Sequence, residues 1–144
     1  MLGIVVSGHG EFAGGLEKTV EYVLGRQENM FYVNFNDGMG TKELEDKYAE
    51  CIEQSVGEGI LFLTDLAGGT PFSTAVNLSM KNPNIKVIGG CNMPMILSTL
   101  ELREEAGDIK EILENILEFS KSSIVSFQNI DINKNIELID EDGI

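Results

Sequence analysis

One stretch decides the fold: LGIVVSGHG, residues 2–10. Its first part, up to Ser7, is a continuous apolar run rather than an alternating one, which is typical of a strand covered on both faces in a parallel sheet. From Phe12 the apolar residues recur at helical spacing as far as Leu24, and Gly25 follows at the position of a helix stop. A strand, a glycine loop and a helix in this order form the first half of a βαβ unit.

The rest of the chain repeats this alternation. Apolar runs predict three more strands, which are Met30 to Phe35, Ile60 to Thr64 and Ile85 to Gly89. Helical patterns follow the strands, at residues 41 to about 56, 70 to about 80, from the turn at 91–95 to about 103, and 109 to 124. This order predicts an α/β domain with a doubly wound, mostly parallel sheet of order 2-1-3-4 and helices on both faces. An apolar alternation around Ile130 and Ile132 predicts a short C-terminal edge strand.

Threonine residues mark the predicted starts of two helices. Thr41 is the candidate N-cap of the second helix, and Thr70 is that of the third, with Pro71 at the first helical position. Gly68 and Gly69 come just before, so the backbone N–H groups of this helix start face the solvent without an intrahelical acceptor. Such a helix start is a candidate anion site.

The only histidine among the 144 residues is His9, which two glycines leave free to project into a cleft. In a doubly wound sheet ligands bind at the carboxyl ends of the strands where the winding reverses, here between strands 1 and 3. His9 follows strand 1 and Asp65 follows strand 3, so we expect the two side chains to face each other. A carboxylate that accepts from Nδ1–H leaves Nε2 as a nucleophile or base.

Composition limits the remaining classes of function. A chain with 42% hydrophobic residues is long enough for one domain, and its apolar N-terminal run is too short for a signal peptide or a membrane span. We therefore expect a cytoplasmic protein. Cys51 and Cys91 lack metal-type spacing and are read as small core residues. The net charge of −14 disfavours nucleic acid and favours protein partners with basic surfaces.

A dinucleotide-binding module is the weaker alternative. Residues 8–13, GHGEFA, match the G-x-G-x-x-A pattern between a strand and a helix. The acidic residue expected at the end of strand 2 is poorly placed, because the strand ends at Phe35 and Asp37 lies in the turn beyond it. A Walker A loop is absent as well.

Three motifs in this order resemble the IIA component of mannose-family sugar phosphotransferase systems. They are SGHG at residues 7–10, DLAGGTPF at 65–72 and GCNMPM at 90–95, and the resemblance covers about residues 1 to 127. It implies a phosphotransferase component in which His9 accepts a phosphoryl group from HPr and passes it to the IIB component for sugar uptake. The membrane components IIC and IID would be indirect partners, and neither a metal nor a cofactor is implied.

The resemblance also assigns roles to single residues. Asp65 would orient His9, and the amides around Gly69 and Thr70 would hold the phosphoryl oxygens. A further set would line the site or dock the partners, namely Gly68, Pro71, Phe72, Asn92, Met93 and Pro94. The subunits would form a homodimer that exchanges a C-terminal strand near Val125 to Asn129.

The chain departs from the family pattern at its end. We divide it into a IIA domain at residues 1–129 and an acidic tail at 130–144, which is longer than the family's C-terminus. Two related interpretations rank below a transport component but stay open. One is a IIA-like regulatory domain, in which phosphorylation of His9 controls transcription, and the other is the phosphocarrier that serves dihydroxyacetone kinase, which lacks the GGTPF stretch.

Overall fold

Four parallel strands form the sheet in the computed structural model, which describes residues 1–105 and 107–129. In chain order the strands are β1 (Gly3–His9), β2 (Met30–Phe35), β3 (Ile60–Thr64) and β4 (Ile85–Gly89). Their spatial order is β2-β1-β3-β4, with every neighbouring pair parallel, so the predicted order 2-1-3-4 is confirmed.

Five helices cover both faces of the sheet. They are α1 (Phe12–Leu24), α2 (Thr41–Gln54), α3 (Thr70–Lys81), α4 (Met93–Leu102) and α5 (Ile109–Ser122). Buried residues of α1, α4 and α5 form one apolar cluster with Ile4 and Val6 of β1. Those of α2 and α3 form a second cluster with Val5 of the same strand. The strand β1 is therefore buried on both faces, and this burial explains its continuous apolar run.

The first strand is longer than the sequence indicates. It continues past Ser7 to His9, whose Cα pairs with that of Phe35 on β2. The backbone N–H of Gly10 then donates to the Phe35 carbonyl at 2.8 Å. The histidine therefore stands on the sheet itself, and its backbone is held by strand pairing.

Both threonine N-caps are wrong by one residue. Gly40 and Gly69 are the N-caps, so Thr41 and Thr70 are the first helical residues, and neither cap uses a side-chain hydrogen bond. Glycine is an acceptable N-cap. Position 69 has a second reason to be glycine, because a Cβ there would come too close to the His9 side chain. The predicted glycine stop at Gly25 is confirmed, with φ of 76°.

The C-terminal predictions fall partly outside the described residues. The edge strand around Ile130 and Ile132 and the tail at 130–144 lie beyond them. Within the segment that the resemblance assigns to an exchanged strand, Phe127–Asn129 form a single 3-10 turn. No helix within residues 1–105 and 107–129 is long and apolar enough to cross a bilayer.

Asn29, just before β2, is hydrogen-bonded to the residues that follow α2, and substituting it tests this connection. It has a positive φ of 54°, and its side-chain Nδ2 donates to the Val56 carbonyl at 2.7 Å. Its Oδ1 accepts from the Val56 N–H at 3.0 Å and from Ser55 Oγ at 3.1 Å. We expect Asn29→Ala to lower the free energy of unfolding by about 2 kcal/mol, because it loses these bonds and strains the backbone.

Asn29→Gly is the matched variant, since it loses the same bonds but adopts positive φ freely. Urea unfolding should place it between the wild type and Asn29→Ala. A glycine variant less stable than the alanine variant would contradict the role of the backbone conformation.

Candidate active site

His9 lies at the carboxyl end of β1, at the point where the winding of the sheet reverses. Asp65 directly follows the neighbouring strand β3, so the strand order brings the two residues to the same edge. The imidazole is 44% exposed and meets the Phe35 ring edge-on, with ring centroids 5.7 Å apart. Gly10 turns the chain away from the sheet with φ of 58°. The ring is therefore supported on one side and open to solvent on the other.

A carboxylate fixes the orientation of this imidazole. Asp65 Oδ2 lies 2.7 Å from His9 Nδ1 and also accepts from the His9 backbone N–H at 2.9 Å. Since an ionised carboxylate can only accept, Nδ1 carries a proton, and in the neutral ring Nε2 therefore holds the lone pair. In the part of the chain that the structure describes, Nε2 has no hydrogen-bond partner. The geometry suits a nucleophilic or basic nitrogen directed toward an incoming group.

The charge of Asp65 is maintained by its surroundings. Partial burial raises the pKa of this carboxyl, but hydrogen bonds from the His9 amide, the His9 ring and the Leu66 amide outweigh burial. The Leu66 N–H donates to Oδ1 at 2.8 Å, so both oxygens are occupied. The net result is a pKa below the usual aspartate value, and Asp65 is ionised at neutral pH.

The start of α3 lies close to the Cε1 edge of the imidazole. A Cβ built on Gly69 would lie 2.9 Å from His9 Cε1, so the helix approaches the ring as closely as glycine permits. The Gly69 amide donates to the Leu66 carbonyl at 3.1 Å, so it is not free for a ligand as the sequence suggested. The amides of Thr70 and Phe72 have no acceptor among the described residues. They are the unsatisfied donors of this helix start.

The other residues of the central motif differ in their exposure. Gly68 is exposed and has φ of 85°, which makes the turn before α3. Pro71 is buried and Phe72 is half-buried. Pro71, one of the residues expected to dock a partner, therefore lies in the interior. Leu66, in the loop before α3, is 60% exposed.

The later motif begins α4. Asn92 is its N-cap, and its Oδ1 accepts from the Met95 N–H at 2.9 Å. Met93 is half-buried and packs against the cluster beneath α4, and Pro94 is half-buried beside it. Within residues 1–105 and 107–129 no hydrogen bond links Asn92, Met93 or Pro94 to His9. Their described contacts are those of a helix start.

A buried polar pair that the sequence did not reveal joins Ser7, two residues before His9 on β1, to Tyr48 on α2. Ser7 Oγ donates to the Val33 carbonyl at 2.8 Å and is 2.7 Å from the hydroxyl of Tyr48. That hydroxyl is also 3.2 Å from the Pro71 carbonyl. In the sequence, Tyr48 falls in the apolar stripe of α2 with Leu44, Cys51 and Ile52, and this pattern predicts only a core residue. The available signal was the single hydroxyl residue, Ser7, that ends the apolar run.

The described residues contain no cluster of side chains that could hold a metal ion. No group of three or more histidine, cysteine, aspartate or glutamate side chains occurs within residues 1–105 and 107–129. Cys51 and Cys91 are both buried. Burial raises the pKa of the Cys51 thiol to about 11 and that of Cys91 to about 12, the latter with help from the charge of Asp65. Both are therefore protonated core residues.

Comparison with known proteins gives consistent matches over most of the chain. Residues 3–117 match the family model described as the PTS system fructose IIA component, EIIA-man. The fructose-specific EIIA component of the phosphotransferase system of Bacillus subtilis is 32% identical over 124 residues, covering 85% of this chain and 84% of that protein. The mannose-specific EIIAB component of Escherichia coli is 31% identical over 134 residues, or 92% of this chain. The chain spans 42% of that longer protein.

Solved structures share the fold. The crystal structure of the phosphotransferase system component EIIA from Streptococcus agalactiae superposes with a TM-score of 0.83 and 29% sequence identity. The match covers 90% of this chain and 100% of the other. The α/β architecture and its strand order are thus those of a known group of proteins.

The lowered pKa of Asp65 predicts how stability depends on pH. Because the ionised form is favoured in the folded state, its contribution to the free energy of unfolding is complete above the unfolded pKa of about 3.9. The contribution is lost as the pH falls through the lower folded value. We therefore expect the difference in the free energy of unfolding between the wild type and Asp65→Asn to shrink as the pH falls from about 5 to about 2. Urea unfolding measures this difference.

Asp37→Asn is the control for this measurement, because Asp37 is exposed in the turn after β2. The difference between this variant and the wild type should stay nearly constant over the same range. A difference for Asp65→Asn that grows toward acid would show that the carboxylate is not favoured by folding.

Proposed function

This chain belongs to the family of mannose- and fructose-type IIA components of sugar phosphotransferase systems, and we propose that it carries a phosphoryl group on His9 Nε2. It is thus a phosphotransferase component. In the proposed cycle His9 accepts the group from HPr and passes it to a IIB component for sugar uptake. The observation that carries the proposal is the 2.7 Å contact between His9 Nδ1 and Asp65 Oδ2, which leaves Nε2 open to solvent.

The transfer needs no change in the bond between the two side chains. The Nε2 lone pair attacks phosphorus as the bond from phosphorus to the donor imidazole nitrogen breaks, and the donor keeps that electron pair. His9 retains its Nδ1 proton throughout, so its ring becomes positively charged when Nε2 binds phosphorus. Asp65 stabilises that charge at close range. In the second transfer the acceptor nitrogen attacks, the P–Nε2 bond breaks and its electrons return to Nε2.

The start of α3 supplies the donors for the transferred group. The unsatisfied amides of Thr70 and Phe72 follow Gly69, where an added Cβ would lie 2.9 Å from His9 Cε1. A helix N-terminus of this kind stabilises negative oxygens through its amides and its dipole. Phosphoryl binding is therefore assigned to the backbone of residues 69–72, with Gly69 providing clearance and Thr70 and Phe72 the hydrogen bonds.

The overall charge supports protein partners of opposite sign. The chain carries ten basic and twenty-four acidic residues, which gives a net charge of −14. Long-range attraction would raise the encounter rate with basic partner surfaces, and added salt would lower it. Leu66, exposed in the loop between Asp65 and α3, would be an apolar contact for a docked partner.

Phosphorylation of the chain tests the proposal directly. Incubation with phosphoenolpyruvate, enzyme I and HPr should add one acid-labile phosphoryl group, detected by intact mass, and His9→Ala should add none. Asp65→Asn should slow the transfer by about 10- to 100-fold, since the ring loses its fixed orientation and charge partner. Asp37→Asn should react as the wild type does.

Two results would refute this function. One is a wild type that takes up no phosphoryl group from phosphorylated HPr, and the other is undiminished labelling of His9→Ala. A thermal shift of the wild type with NAD would instead favour the dinucleotide alternative. Because the chain has one histidine, the labelled site needs no mapping.

A homodimer that exchanges C-terminal segments belongs to the same proposal. Among residues 1–105 and 107–129, β4 is an edge strand of the sheet, and no described strand pairs with its outer side. In the described part of the chain after α5, up to residue 129, three large apolar side chains are exposed, which are Ile124, Val125 and Phe127. Exposed apolar side chains in a row are typical of a segment that packs against another surface. A second copy of this chain is the proposed surface.

Acidic substitutions in this segment should separate the subunits. We expect the double variant Val125→Asp/Phe127→Asp to elute as a monomer in size-exclusion chromatography with light scattering, because two buried carboxylates would oppose association. Met80→Asp is the control, since Met80 is an exposed apolar residue on α3. A wild type that is monomeric, or a double variant that stays dimeric, would contradict the exchange.

A further inference from the structure

The proposed transfer makes no use of the buried hydroxyl of Tyr48. This side chain is fully buried on α2, and its ring packs against Phe62 of β3 with centroids 4.8 Å apart. Apolar packing alone would be served equally well by phenylalanine. A tyrosine in a core needs a partner for its hydroxyl, so the partners show what the oxygen does.

The direction of the hydrogen bonds follows from counting protons. Ser7 Oγ has one hydrogen, and it is donated to the Val33 carbonyl. At 2.7 Å from Ser7 Oγ, the Tyr48 hydroxyl must therefore be the donor of that contact. The Pro71 carbonyl, 3.2 Å from the same hydroxyl, shares the hydrogen in a three-centre bond. One hydroxyl thus connects a residue of β1 with the first turn of α3.

Both ends of this connection are next to the reacting groups. Ser7 is two residues before His9 on β1, and alternate residues of a strand point to the same face of the sheet. Pro71 lies between Thr70 and Phe72, whose amides are assigned to the phosphoryl oxygens. The distance from β1 to α3 sets how far these amides stand from the imidazole. That distance leaves little room, because even a Cβ at position 69 would come within 2.9 Å of His9 Cε1.

We propose that Tyr48 is a positioning residue for phosphoryl transfer: its hydroxyl, through Ser7 and the Pro71 carbonyl, holds the first turn of α3 at the correct distance from His9. The inference rests on the proposed function, because it assigns the backbone of α3 to the transferred group. Tyr48 touches neither the imidazole nor the phosphoryl group.

The hydroxyl is suited to this role over the whole physiological pH range. Burial raises the pKa of Tyr48 well above the ordinary tyrosine value, and the charge of Asp65 raises it further, although the bond to Ser7 opposes both. Tyr48 therefore stays protonated and always has its hydrogen to donate. The connection does not alter with the ionisation of neighbouring groups.

Tyr48→Phe tests the proposal, with Tyr32→Phe as the matched control. Tyr32 is half-buried on β2, and its hydroxyl contacts Met30 Sδ at 3.2 Å, on a different face of the sheet from Tyr48. For transfer from phosphorylated HPr, we expect Tyr48→Phe to lower kcat by about 3- to 10-fold with an unchanged KM. Tyr32→Phe should change neither constant. The measurement is made where circular dichroism shows both variants to be folded.

The nuclear magnetic resonance signals of the single histidine give a second readout that does not depend on transfer. In unphosphorylated Tyr48→Phe the His9 Cε1–H signal should shift, since Gly69 moves relative to that atom, whereas in Tyr32→Phe it should stay in place. Ser7→Ala should produce the same shift and the same fall in kcat, and combining it with Tyr48→Phe should add little to either.

The outcomes separate this inference from the proposed function. A wild type that accepts no phosphoryl group refutes the function, and the histidine signals then decide whether Tyr48 positions α3. An unshifted His9 signal in Tyr48→Phe, or a kcat equal to that of the wild type, overturns the inference. A rise in KM with kcat unchanged also overturns it, because it would place Tyr48 in partner docking.

Discussion

The reversal of winding between β1 and β3 is the constraint on which the rest of the structure depends. Chain connections leave the sheet to opposite sides at these two strands, so a gap opens at their carboxyl ends. The backbone pairing continues into the gap, where the Asp65 N–H donates to the Ser7 carbonyl at 3.2 Å. The histidine and the aspartate consequently start from adjacent, rigid positions. A loop could not hold a 2.7 Å contact between side chains so distant in sequence without such support.

Electrostatics at the site depends on few groups, all close together. The groups that stabilise the Asp65 carboxylate are the His9 ring and the backbone amides of His9 and Leu66. The donors that the start of α3 offers are the backbone amides of Thr70 and Phe72, which lack an acceptor among the described residues. Fixed dipoles of this kind need little reorganisation when charge arrives, whereas long basic side chains would have to be ordered first.

The sequence predicted the architecture and the main pair of residues because both depend on local patterns plus one topological rule. A buried strand reads as an apolar run, and residues after neighbouring parallel strands must meet at one edge. The details at α3 could not be predicted. The use of the Gly69 amide within its own loop and the contact of Gly69 with His9 depend on where the helix packs in three dimensions. For the same reason the hydroxyl of Tyr48 was hidden within an apolar stripe.

The two hydrogen bonds that His9 makes to one carboxylate oxygen limit how a partner can approach the site. Because Asp65 Oδ2 binds both the ring and the backbone of the same residue, the imidazole has little rotational freedom left. Its conformational entropy has been lost during folding, not during an encounter. The ring can therefore present Nε2 along a single line of approach. If the chain carries a phosphoryl group between two proteins as proposed, both partners need the same line of approach, so one must leave before the other can bind.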